Sequence, residues 1–152
     1  MNTRKAREKA IQSLMRQKNV QLERLARGHA EAKNKLAVAK RSYSEVKTEV
    51  GDIEDQIRES TKEGAAISVN MLLWQRLHLN QQNDLLIEKK LQKDQADEHC
   101  REKYAELVGQ KQIIETFDRL AEKYKEERKK LEYKRISLEL DAISTQKSAR
   151  KE

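Results

Sequence analysis

The chain has 152 residues, of which 39% are charged, 36% hydrophobic and 4% aromatic, with no proline. That balance cannot surround a thick globular core, but it suits long helices with solvated flanks. The net charge is +7, and the single cysteine, Cys100, excludes an internal disulfide and fits a reducing compartment, so a cytosolic address is the simplest expectation.

Disorder is the competing reading of so charged a chain, yet disordered segments lack regular apolar spacing. Here the spacing is regular. The first half carries a ladder of alternating three- and four-residue steps: Ile11, Met15, Lys18, Leu22, Leu25, His29, Ala32, Leu36, Ala39, Tyr43, Val46, Val50, Ile53, Ile57. Only Lys18 and His29 are neither apolar nor aromatic, and polar residues on such a seam fix register. One seam residue per about 3.5 draws a narrow stripe on a helix that supercoils against a partner. A narrow stripe offers no pocket, so the chain reads as a rod that works by contact.

Helix 1 is expected over about 4–60. The ladder then fails, and residues 59–70 read ESTKEGAAISVN, a cluster of small and turn-forming residues. Gly64 can end a helix, and Ser68 or Asn70 can cap the next one, which places a turn at about 61–69. Gly28 and Gly109 lie inside helical patterns, either tolerated or marking close packing. The longest apolar stretch, residues 67–79, is too short and too polar to span a bilayer, and no cleaved signal peptide is visible after Met1.

Helix 2 is expected over about 70–146, with a looser seam. One seven-residue row reads Leu72, Leu79, Leu86, Lys93, Cys100, Leu107, Ile114, Ala121; a companion row reads Ala96, Lys103, Gln110, Phe117, Tyr124, Leu131, Leu138. Leu77, Leu91, Val108, Ile113, Leu120, Ile136 and Ile143 sit beside these rows, more apolar surface than one narrow seam can hide. Trp74, with Leu72, Leu73, Leu77 and Leu79, forms a cluster next to the turn. It reads as a knot closing the hairpin or as a docking face, since tryptophan is enriched at interface hot spots, and both hold if some of its residues face inward and others out. The fold class is therefore all-α: one domain, a long antiparallel two-helix coiled-coil hairpin with a longer second helix.

Antiparallel counting from a turn near residue 66 sets residue i opposite roughly 132 − i. About twenty residues past Arg128 then lack an intrachain partner, an overhang of about 30 Å at 1.5 Å per residue. It includes Leu131, Tyr133, Ile136, Leu138, Leu140 and Ile143; an unpaired helix of this kind is either frayed or built to enter a partner, and exposed apolar surface favours entry. Charge is uneven too. Residues 1–35 hold ten Lys/Arg against three Asp/Glu, residues 36–100 nine against twelve, and residues 101–152 fourteen against eleven. A hairpin gathers the two basic segments at one end. Acids are interleaved throughout helix 2, the pattern of a solvated face with i, i+4 pairs. Residues 1–35 are more one-sided and form a basic patch suited to nucleic acid, membrane lipid or, the favoured reading, an acidic protein surface.

No catalytic constellation emerges, and no phosphate-binding glycine loop is present. His99 beside Cys100 points in a different direction from it on a helix, and no C-x-x-C completes a metal site. Neither enzyme activity, cofactor nor metal is expected.

The length, the basic first helix, the short turn and the aromatic-apolar opening of helix 2 (MLLWQRLHL, residues 71–79) resemble the YscO/FliJ family of type III secretion stalk proteins. The segment LEYKRISLELDAIS, residues 131–144, is similar in style to the ends of such proteins. The injectisome branch looks closer than the flagellar one. The resemblance implies a cytoplasmic, monomeric hairpin whose termini end enters the central hole of a hexameric export ATPase, while its other end approaches the export-gate ring. Secretion chaperones are implied as further partners. Carried onto this chain, Arg4, Arg7, Leu131, Arg135, Leu138, Leu140 and Ile143 would meet the ATPase. Leu73, Trp74, Leu77 and Gln81 would face the gate, Gln81 departing from the apolar character of that face in flagellar members. Two readings of other classes stay open: a structural coiled-coil dimer of two chains, and a basic helical nucleic-acid-binding protein.

Overall fold

A computed structural model describes residues 2–62 and 68–151 of the chain. Two helices make the fold, α1 (Asn2–Ser60) and α2 (Val69–Lys151), packed against each other as an all-α helical hairpin in which α2 is the longer. Nothing in either sequence interrupts them, since proline is absent and the internal glycines only lower propensity. α2 continues to Lys151, beyond the stretch that apolar spacing marks, because residues 145–151 hold no helix breaker.

The helix boundaries are built locally. At the end of α1 the Thr61 amide donates to the Ile57 carbonyl (2.9 Å), and the Thr61 hydroxyl donates to the same oxygen (2.8 Å). Ser68 is the N-cap of α2. Its Oγ accepts from the Met71 amide (3.2 Å), and its carbonyl accepts the first intrahelical bond, from Leu72 (3.1 Å). Gly64, expected to end helix 1, lies outside the described residues.

Packing divides the chain into two units. The first combines Met1–Arg24 with Val108–Glu152, and the second is Leu25–Leu107. In the first unit Ile11 and Gln110 are buried, and Met15, Leu22, Ile114, Phe117, Leu120, Ala121 and Tyr124 are half-buried around them. Gln110 Nε2 donates to the Lys18 carbonyl (3.0 Å) and to Gln21 Oε1 (3.3 Å). A polar link across a helix pair fixes which turn faces which. Arg128 meets Glu8 at 2.8 Å, nearer the start of α1.

In the second unit Ala32, Val46, Val50, Ile53 and Leu107 are buried. Three polar residues of its seam make contacts across it. The His29 ring lies 5.4 Å from the Tyr104 ring, and Lys93 Nζ sits 4.5 Å above the Tyr43 ring, an attraction between a cation and the negative face of an aromatic. Gln75 Nε2 donates to Ser60 Oγ at 3.4 Å. Within each unit these partners follow the antiparallel count, and every member of the α1 ladder is buried or half-buried.

Candidate functional site

Two surfaces hold side chains that the fold leaves without intrachain cover. The first lies in the unit that contains both termini. From Leu131 through Arg150 every residue of α2 is exposed, so the companion row that packs inward at Phe117 and Tyr124 emerges into solvent at Leu131 and Leu138. A second stripe joins it, with Tyr133, Ile136, Leu140 and Ile143 at alternating three- and four-residue steps. Tyr133 is 74% exposed and Leu140 60%. Because 3.6-residue helical spacing puts Leu131 and Tyr133 on different sides, this segment is apolar on two faces. A single flat partner would cover only one of them.

At the base of that segment an open groove of about 480 Å³ is lined by Arg4, Lys5, Arg128, Leu131, Glu132 and Arg135. It brings together three of the sequence-predicted contact residues, Arg4, Leu131 and Arg135. Arg7 is exposed on α1 and does not line it; Leu138, Leu140 and Ile143 lie further along α2. Four cations ring one leucine, while Arg128 is already engaged by Glu8 and Arg135 is 4.0 Å from Glu139. This unit carries nineteen Lys/Arg against eleven Asp/Glu, and the other fourteen against fifteen, so the whole positive excess sits here.

The second surface lies on the opening turns of α2. Leu73, Trp74, Leu77 and Gln81 are all exposed, Trp74 at 66%. The Trp74 cluster is divided between the two readings, with some of its residues facing inward and the indole outward. Leu72 and Leu79 turn inward, and the seam between them is filled by Gln75 instead of by the indole. Trp74 stacks on His78 of its own helix, with ring centroids 5.6 Å apart and planes 19° apart. Running the companion row back from Ala96 in sevens gives Lys89, Gln82 and Gln75, all inward-facing, a polar run that apolar periodicity passes over. The same oversight hides Ile87, which points outward and is 70% exposed.

Among the described residues no three His, Cys, Asp or Glu side chains gather as a metal site, and Cys100 is half-buried in the seam while His99 is exposed. Among the described residues, no helix is long and apolar enough to cross a membrane. No family model, no curated protein and no solved structure matches the chain.

Proposed function

We propose that the chain is a central stalk and adaptor of a type III protein secretion apparatus. In this reading residues 131–150 of α2 enter the lumen of a hexameric export ATPase. The surface around Trp74 contacts the cytoplasmic ring of the export gate, and the linkage promotes ATP hydrolysis and substrate export. The observation that carries the reading is the exposed continuation of α2, apolar on two faces and based on a cationic groove. A helix apolar on two sides suits an enclosing ring better than a flat surface, and the cations suit acidic loops at the ring's mouth. The resemblance of residues 71–79 and 131–144 to the YscO/FliJ family supplies the identity of that ring.

The test uses the full chain and the purified ATPase. Replacing Leu138, Leu140 and Ile143 together by Ser is expected to abolish stimulation of ATP hydrolysis while the far-ultraviolet circular dichroism of the hairpin persists. Undiminished stimulation by the triple variant would refute the ring contact. The structural-dimer alternative is tested by mass in solution, since a hairpin that satisfies its own seam should sediment at 17.8 kDa.

A further inference from the structure

We draw no further inference here: the strongest candidate, the exposed apolar stripe of Leu73, Leu77, Ile87 and Leu91 on the outer face of α2, is flanked by residues of both charges, and nothing in the structure shows what covers it.

Discussion

Single side chains decide where the seam is strong and where it is costly. Gln110 and Gln82 are the same residue type on the same helix face, yet they differ in what they find. The Gln110 amide reaches two acceptors, whereas Gln82 Oε1 is buried and accepts nothing. A buried acceptor without a donor costs about 1–3 kcal/mol, more than a satisfied one returns. Gln82→Leu is therefore expected to stabilise the hairpin by about 1–2 kcal/mol, read as a higher midpoint in urea unfolding. A lower midpoint would mean that the oxygen is satisfied by water. Periodicity could not reveal this residue. An apolar ladder is found by its apolar members, and the inward row here is polar at Gln75, Gln82 and Lys89. Lys93 was legible as a member of its row, but not its reason for being there, which is the Tyr43 ring beneath its ammonium.

At the scale of the element, the two helices are more continuous than their sequences require. α1 runs unbroken through Gly28 and α2 through Gly109. A methyl group added at Gly28 would meet nothing closer than Lys103 Cδ at 3.9 Å, and one added at Gly109 would meet nothing within 4 Å. Neither glycine is there for close packing. Gly28→Ala and Gly109→Ala should each raise stability by about 1 kcal/mol through helix propensity alone, additive in the double variant when measured by chemical denaturation. Loss of stability at Gly28 would show that the approach of Lys103 is tighter than ordinary contact. The element types and their antiparallel register were legible from spacing, and the cap of α2 was narrowed to Ser68 or Asn70, between which the bond from the Met71 amide to Ser68 Oγ chooses. The residues alone left open which members of the Trp74 cluster face out. An apolar cluster beside a turn has two sides to choose from, and only the phase of the polar row chooses between them.

For the molecule as a whole, the distribution of burial separates what folds the chain from what the chain offers. Removing residues 131–152 takes away six large apolar side chains but no buried or half-buried residue among 131–150. A chain ending at residue 130 should unfold at the same urea concentration as the full chain, within about 0.5 kcal/mol, while losing helical circular dichroism in proportion to its length. A marked drop in midpoint would reveal that the segment folds back on the hairpin. The same comparison explains why the candidate contacts were half legible. Leu131, Leu138 and Ile143 are conspicuous because they continue past the counted end of α1. The groove formed by Arg4, Lys5 and Arg135 needs the register of two helices to be seen.

The continuation of α2 past the start of α1 also changes how its last residues become helical. A free peptide of twenty residues must first nucleate a turn, which is the unfavourable step of the helix–coil transition, and stays largely coil in water. Here the turns anchored by Phe117, Tyr124 and Arg128 are already wound, so the following residues face propagation alone. The hairpin acts as a permanent nucleus for its own tip. A partner therefore meets a segment that is close to its bound conformation, and little of the binding free energy is lost to ordering it.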